Sequence, residues 1–489
     1  MNLCLEPNKC KSLSICSGLS KVVEFKLSEM SIGSILNSPE KFLGSYITYH
    51  GKQSETFNIV SDSICAILEN IDKCLIADEY KLKVYSQYLL PAIRFKLSVH
   101  EITTTNLSKL DAIGDRFIKK WLGMPQSGTM AIAHSKEGLH IKSFSQIYKE
   151  SHAISHATSR VKADSVVNIA LDQKVQREQS WTRKSSISVY CEDHYTNVIS
   201  SVPQSESQVK HLENVKTKVK NNIADEFVEM WHTHIKTLCV QGRFLEILAM
   251  ENAHVTWKSI IYNLPRGVLK FAINASIDTL PTNANLKRWG KRSNAKCNLC
   301  KARETLHHTL NNCQEMLDRY LWRHNSIISY LYKVIKSDLA PSFQIYADIP
   351  GYHQGISTIP TDILITNLKP DMVIINRQNK TLILFELSVP FETNIDSTHS
   401  YKIDRYLTLI ADIEDTGYKV KYYPIEIGSR GYISKDNISR FRSLSKDTNV
   451  HLHHRTTKDC LCKISLVCSY IIFHAKYDAS WINPPYVIF

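Results

Sequence analysis

The run Lys369-Pro370-Asp371-Met372-Val373-Ile374-Ile375-Asn376-Arg377-Gln378-Asn379-Lys380-Thr381-Leu382-Ile383-Leu384-Phe385-Glu386-Leu387-Ser388-Val389 decides how the carboxy-terminal part of the chain folds. Two apolar, β-branched runs, 372–376 and 381–389, flank a polar turn at 377–380, which is the pattern of a β-hairpin. If the turn is symmetric about Gln378 and Asn379, Ile374 faces Ile383 and Asp371 faces Glu386. The two carboxylates then project from one face with Cβ atoms about 4.5–5.5 Å apart. Like charges placed so destabilise a hairpin unless something lies between them. A hard divalent cation is one answer, because Mg²⁺ or Mn²⁺ takes carboxylate oxygens and keeps positions open for water and phosphate. The other reading is a register slipped by one residue, which turns one acid outward and leaves two ordinary surface charges.

Working outward, the chain has 489 residues, 43% hydrophobic and 22% charged, enough for roughly two to four domains with buried cores. Its net charge of +13 suits a polyanionic partner, although a solvated basic surface has the same composition. The thirteen cysteines show no small-secreted-domain framework, and the amino terminus lacks a charged segment followed by an apolar one. The longest strongly apolar run, 464–473, is too short to span a bilayer. These features predict a reducing intracellular compartment, no membrane partner, no small-molecule cofactor, and cysteine pairs that hold metal.

Short strand-like runs at 14–16, 21–27 and 42–49 precede a helical period at 59–76. With nothing ahead of those strands to cover them, the chain is expected to start inside a domain. Residues 77–158 read as helical. Leu107, Leu110, Ile113, Phe117, Trp121 and Leu122 form one face, and Lys109, Arg116, Lys119 and Lys120 lie largely off it. Pro125 and Gly128 are expected to end that helix. From about 175 to 225 the sequence is polar and reads as a linker with one exposed helix, before a second helical segment at 226–248. Between 256 and 292 aromatic and basic residues interleave: Trp257, Lys258, Tyr262, Arg266, Lys270, Phe271, Lys287, Arg288, Trp289, Lys291 and Arg292. That mixture suits nucleic acid, since aromatics stack on bases while cations neutralise phosphates, and it also suits a packed helical domain with a basic rim.

Cys297-x2-Cys300-x7-His308-x4-Cys313 supplies thiolates and an imidazole at the spacing of a closed tetrahedral Zn²⁺ site, with His307 as a competing ligand. A closed site of this kind is structural or grips nucleic acid. A less regular group, His451, His453, His454, Cys460, Cys462 and Cys468, is a second metal candidate, whose cysteines read more readily as buried thiols. Arg323 and His324 lie on an apolar-periodic helix, where the histidine either orients a phosphate or faces solvent. Residues 397–414 read as a helix capped by Ser397 or Thr398, presenting Lys402 and Tyr406 one turn apart. A lysine beside a two-carboxylate metal site positions or deprotonates water, or stabilises a pentacovalent phosphorane. The strand at 420–427 and Gly428-Ser429-Arg430-Gly431-Tyr432 complete an α/β core.

The order of these motifs resembles the carboxy-terminal half of a site-specific non-LTR retrotransposon polyprotein. The motifs are the knuckle, Arg323-His324-Asn325, Tyr346-Ala-Asp-Ile-Pro-Gly-Tyr352, Lys369-Pro370-Asp371, Glu386-Leu-Ser-Val, Lys402, and Pro424-Ile-Glu-Ile-Gly-Ser-Arg-Gly-Tyr432. That resemblance implies a restriction-like endonuclease of the PD-(D/E)xK class. Leu5-Glu-Pro-Asn-Lys9-Cys10 and Lys41-Phe-Leu-Gly44 look like the end of a reverse-transcriptase palm and its primer grip, and 81–95 with 118–128 resemble the thumb. The implied fold is multi-domain α+β: palm remnant at 1–75, thumb at 76–160, polar linker at 161–225, basic helical region at 226–295, CCHC knuckle and following helix at 296–335, and α/β restriction-endonuclease-like core at 336–489. The implied activity is nicking of target DNA in the nucleus, after synthesis in the cytoplasm. Asp371 and Glu386 would hold Mg²⁺ (or Mn²⁺) and Lys402 would assist water. Arg323, His324, Lys287, Arg288, Lys291 and Arg292 would contact target DNA or element RNA. Two departures matter. The simplest class spacing places the lysine at position 388, which is Ser388 here. A polymerase also needs a paired-aspartate motif, which this chain lacks, so it is not expected to copy nucleic acid alone. A catalytically inactive nucleic-acid-binding remnant and a zinc-dependent transcription regulator are the competing expectations.

Overall fold

A computed structural model describes residues 10–27, 29–38, 40–42, 45–47, 53–162, 164–181, 187–200, 207–250, 261–350, 357–452 and 455–487. The chain is a mixed structure, mainly helical, with four small sheets among the described residues. It divides into two compact units, one of residues 1–121 and 141–230, the other of 122–140 and 231–489.

In the first unit, short strands precede helices. Ser14–Cys16 pairs with Leu19–Lys21 across a tight turn in which Ser17 and Gly18 have φ of 52° and 77°. That turn has the φ signs of the type I′ hairpin, whose twist matches the strands. Glu40–Phe42 pairs with Ser45–Ile47, while Leu43, Gly44 and the segment before Cys10 lie outside the described residues. Helix Gln53–Lys73 buries Val60, Ile64, Leu68 and Ile71 along one stripe. Helix Thr104–Leu122 buries Leu107, Leu110, Trp121 and Leu122 as the periodicity predicts, but Ile113 and Phe117 of the expected face are only half-buried and Ile118 is buried in addition, while Lys109 and Arg116 are exposed. Its end differs from the expectation. Gly123, at φ 64°, terminates the helix ahead of Pro125 and Gly128.

The expected polar linker is built into a core instead. Helices Ser165–Trp181, Ile187–Ser200 and Gln208–Thr237 occupy it, and Cys191, Tyr195, Val215, Val219, Ile223 and Phe227 pack with Ala153 and Ala157. The apolar residues are sparse but fall four apart, and on a long helix that spacing is enough for a buried stripe.

The second unit carries the hairpin. Its main elements are α1 (Arg266–Ser276), α2 (Leu317–Asp338), β1 (Phe343–Ala347), β2 (Met372–Asn376), β3 (Thr381–Ser388), α3 (Ile395–Asp415), β4 (Lys419–Glu426), α4 (Lys435–Thr448) and α5 (Arg455–His474). The sheet order is β4-β3-β2-β1. β1, β2 and β3 run antiparallel, and α3 crosses over so that β4 lies parallel to β3. Ile374 faces Ile383 and Met372 faces Phe385, the expected register. Asn379 N–H closes the turn on Asn376 Oδ1 at 3.1 Å, and Lys380 takes φ 45°.

Both faces of the sheet are covered, so its central strands read as continuous apolar runs. Ile374, Ile383, Phe385 and Leu387 belong to one core with α2 and α5, whereas Val373, Ile375, Leu382 and Leu384 pack with Tyr406, Leu409 and Ile413 of α3. The larger core also contains Cys297, Leu306, Leu310 and Cys313, so the knuckle at 296–335 shares one core with the α/β elements at 336–489. Pro424 is tolerated because β4 is an edge strand.

Candidate functional site

The hairpin ladder ends at Met372–Phe385, and the next residue on each strand is an acid. Asp371 N–H donates to Glu386 Oε2 at 3.1 Å, and Leu387 N–H donates to Asp371 Oδ2 at 2.7 Å. The expected pairing therefore takes a specific form. Each carboxylate accepts a backbone hydrogen bond from the opposite strand, which fixes both head groups side by side. Glu386 is 3% exposed, whereas Asp371 is only half-buried.

Two cations complete the arrangement. Lys402, on the first half of α3, ion-pairs with Glu386 through Oε1. The helix starts earlier than expected, after a short 3-10 turn, with Asn394 at its cap position in place of Ser397 or Thr398. His324 of α2 contacts Asp371 Oδ2 at 3.1 Å through Nε2, while its Nδ1 lies 3.1 Å from Asn325 Oδ1. Burial pushes the imidazole down, but the charge and hydrogen bond of Asp371 outweigh it and lift His324 to about 9. Burial would raise Asp371, yet His324, the Leu387 N–H and Lys402 hold it below its ordinary value. Burial and the neighbouring Asp371 charge raise Glu386, with Lys402 opposing. This is the pattern of paired acids pushed apart by their surroundings. Oxygen donors on two adjacent carboxylates fit a hard cation. Among the described residues nothing hydrogen-bonds Asp371 Oδ1, which leaves that oxygen available to one.

The second candidate metal site is more compact. One donor atom from each of Cys297, Cys300, His308 and Cys313 lies within 4.8 Å of all the others. Cys313 Sγ and Cys300 Sγ are 3.8 Å apart, and Cys300 Sγ is 3.3 Å from His308 Nε2. Tetrahedral Zn²⁺ with Zn–S of about 2.3 Å and Zn–N of about 2.0–2.1 Å requires edges of about 3.8 and 3.5 Å. The cage fits Zn²⁺. Its turn is held by Cys297 N–H on Ala302 O at 2.7 Å, with Lys301 at φ 65°. His307 is not the ligand. Its ring stacks on Phe391 with centroids 4.9 Å apart, and its Nε2 lies 3.4 Å from Asn394 Nδ2.

The nucleic-acid candidates separate. Lys287, Arg288 and Lys291 are exposed, and neither Lys287 nor Lys291 is ion-paired among the described residues. Arg292 is partly consumed, donating at 2.8 Å to Asn283 Oδ1 and to Asn298 Oδ1. Arg323 does not reach solvent. It is 1% exposed and donates to Ser469 Oγ at 3.0 Å and Val389 O at 3.3 Å, and burial lowers it to about 10. It braces α2 against α5, so the phosphate contact expected of it is not available. Likewise Phe271 is a core residue against Tyr470 and Phe473, and Trp257 and Lys258 lie outside the described residues. Cys462 and Cys468 are buried thiols of α5, as read from sequence, and His453 and His454 lie outside the described residues.

Two buried charge clusters were not anticipated. Arg430 lies between the rings of Phe244 and Phe391, 4.1 and 4.2 Å from their centroids, and donates through N–H and Nε to Glu392 at 2.7 and 2.6 Å. A side chain at Gly428 would collide with the Glu392 carboxylate that Arg430 holds in place, which accounts for glycine there. Glu426, 1% exposed, accepts from His399 Nδ1 at 2.8 Å and from Arg440 at 3.1 Å. The sequence offered a signal for this second cluster, since His399 precedes Lys402 by three residues on the same helix face.

Residues 242–322 match a protein-family model described as zinc-binding in reverse transcriptase, and the matched span includes the cage residues. No curated protein matches the chain. No described helix is long and apolar enough to cross a membrane. The chain therefore carries a zinc-binding domain of the kind associated with reverse transcriptases.

Proposed function

We propose that the chain is the metal-dependent DNA endonuclease portion of a non-LTR retrotransposon polyprotein, nicking target DNA in the nucleus to prime reverse transcription. The observation that carries this reading is the convergence of Asp371, Glu386 and Lys402 at the end of the β2–β3 ladder. The helix–three strands–helix–strand order from α2 to β4 and the attached zinc cage are consistent with a restriction-like core beside a nucleic-acid grip.

Asp371 and Glu386 would hold Mg²⁺ or Mn²⁺, which when bound polarises the phosphodiester and lowers the pKa of water. Lys402, ion-paired with Glu386, orients the attacking water and offsets charge on the phosphorane. His324 fixes the rotamer of Asp371 and keeps it ionised. Water attacks phosphorus, the P–O3′ bond breaks, and the departing oxygen takes a proton, leaving a 5′ phosphate and the 3′ hydroxyl that primes synthesis. The exposed lysines beside the cage would hold target DNA or element RNA.

The test is nicking of supercoiled plasmid with Mg²⁺ by the zinc-loaded chain. The unsubstituted protein is expected to produce open circles, and Asp371→Ala to lose at least about 10³-fold in rate. Equal activity in both would sink the assignment. The mutual neutralisation of the two acids by His324 and Lys402 favours one alternative, an inactive nucleic-acid-binding remnant. That reading expects no open circles at any Mg²⁺ or Mn²⁺ concentration.

A further inference from the structure

The Glu426 cluster lies beside the carboxylate pair. In the parallel ladder Glu386 is level with Pro424, and Glu426 is level with Ser388. Glu386 and Glu426 therefore face α3 from adjacent strands, two residues apart along the ladder. His399 precedes Lys402 by one helical turn. A cavity of about 240 Å³ opens here, beyond the carboxyl ends of β3 and β4, where ligands collect in open α/β sheets.

Its lining has two characters. Ile247 and Met250 supply apolar surface, while His399, Arg440, Asp396 and Asp436 supply polar groups. Buried Glu426 fixes the basic pair: His399 Nδ1 bonds its Oε1 and Arg440 bonds its Oε2, while Arg440 also donates to His399 Nε2 at 3.1 Å. Asn437 Oδ1 accepts from the same guanidinium at 2.8 Å. Among the described residues nothing engages the Arg440 Nε–H, so a donor remains. Asp396 and Asp436 are exposed, lie in the first turns of α3 and α4, and pair with no cation among the described residues.

A phosphate fits this lining poorly, because two unpaired carboxylates stand at the rim. We infer that the cavity takes one unpaired nucleobase of the strand held at the carboxylate centre, and selects a base with an exocyclic amine. The rim acids accept from the amine, Arg440 donates to a ring nitrogen or carbonyl, and the apolar residues cover the base face. Thymine has no exocyclic amine and presents carbonyl oxygen to the acids, so it is disfavoured. The inference rests on the nuclease reading for its ligand, but it makes a separate demand.

The test compares single-stranded decamers of 5-methyldeoxycytidine and of thymidine, which share a methylated pyrimidine shape and differ at the amine. Binding is measured by fluorescence anisotropy without Mg²⁺, on the zinc-loaded chain carrying Asp371→Ala so that no cleavage intervenes. The amine-bearing strand is expected to bind about tenfold more tightly. In the added variant Asp396→Asn with Asp436→Asn the ratio should fall to about one. Affinity for both strands should hold or rise there, because negative charge is removed. Both positions are exposed, so the fold is expected to survive. A ratio near one before the added substitutions, or a ratio unchanged by them, overturns the proposal. Absence of plasmid nicking together with an intact ratio overturns the nuclease reading and supports the pocket.

Discussion

The second unit holds two candidate ion sites in one fold, and they are built on opposite plans. The cage takes four donors from 297–313, and its four donor atoms close on one point within 4.8 Å. The carboxylate centre takes side chains from α2, β3, α3 and the residue before β2, and its acids are already balanced by His324 and Lys402. A closed soft-donor set spends its ion on holding the chain together, whereas an open oxygen set keeps coordination positions for substrate. The first should govern folding and the second chemistry.

Cage disruption should therefore have the largest effect. Cys297 and Cys313 are 3% and 0% exposed and share a core with Ile374 and Phe385. Cys313→Ser is expected to abolish the stoichiometric Zn²⁺ seen by elemental analysis and the cooperative thermal transition of this unit, since apparent zinc-binding energies reach about 10 kcal/mol or more. A variant that loses the metal yet melts as before would show that the cage is peripheral.

Lys402→Met should have the next largest effect and be confined to chemistry. Nicking is expected to fall about 10²-fold or more with Zn²⁺ content unchanged. Glu386 loses its counter-charge, so its already raised pKa rises further. Unchanged nicking would return Lys402 to a purely structural ion pair.

The same contrast explains what was legible in the sequence. Cage ligands lie close in the chain, so spacing alone proposes them. Choosing His308 over His307 needed tertiary contacts, because only Phe391 and Asn394 account for His307. The carboxylate pair required the hairpin register, and the symmetric turn at 377–380 supplied it, because strands that are apolar on both faces carry no alternation to fix it. His324 was visible as part of a motif but not as the partner of Asp371, since the two are 47 residues apart. Arg323 was misread for a related reason. An arginine on a helix normally points to solvent, and nothing local reveals that Ser469 and Val389 wait to receive it. The core built by the helices at 165–225 was read as a linker with one exposed helix, because polar residues there outnumber the few that pack.

His324 offers a smaller effect with a defined sign. Its folded pKa, about 9, is above its ordinary 6.5, so its contribution is full below the ordinary value and is lost as pH rises through 9. Asp371 is held below its ordinary value, so its share is present above that value and is lost as pH falls through the lowered one. His324→Gln should cost about 2 kcal/mol near pH 6, and the gap to the unsubstituted chain should shrink toward pH 10. Thermal unfolding without added Mg²⁺ at both pH values checks it. A gap that widened with pH would mean that His324 is neutral in the folded chain.

The smallest effect separates exposed from buried cations next to the cage. Lys287 and Lys291 are solvated, so each contact with a phosphate releases counterions and adds close to one unit to the salt dependence of binding. Lys287→Gln and Lys291→Gln should each reduce the slope of log affinity against log salt by about one on duplex DNA, with similar losses on unrelated sequences. Arg323→Lys should leave that slope unchanged, because its guanidinium is enclosed between α2 and α5. If the Arg323 variant altered the slope and the lysine variants did not, the nucleic-acid surface would lie on the α2 side of the unit, away from the exposed rim of the cage.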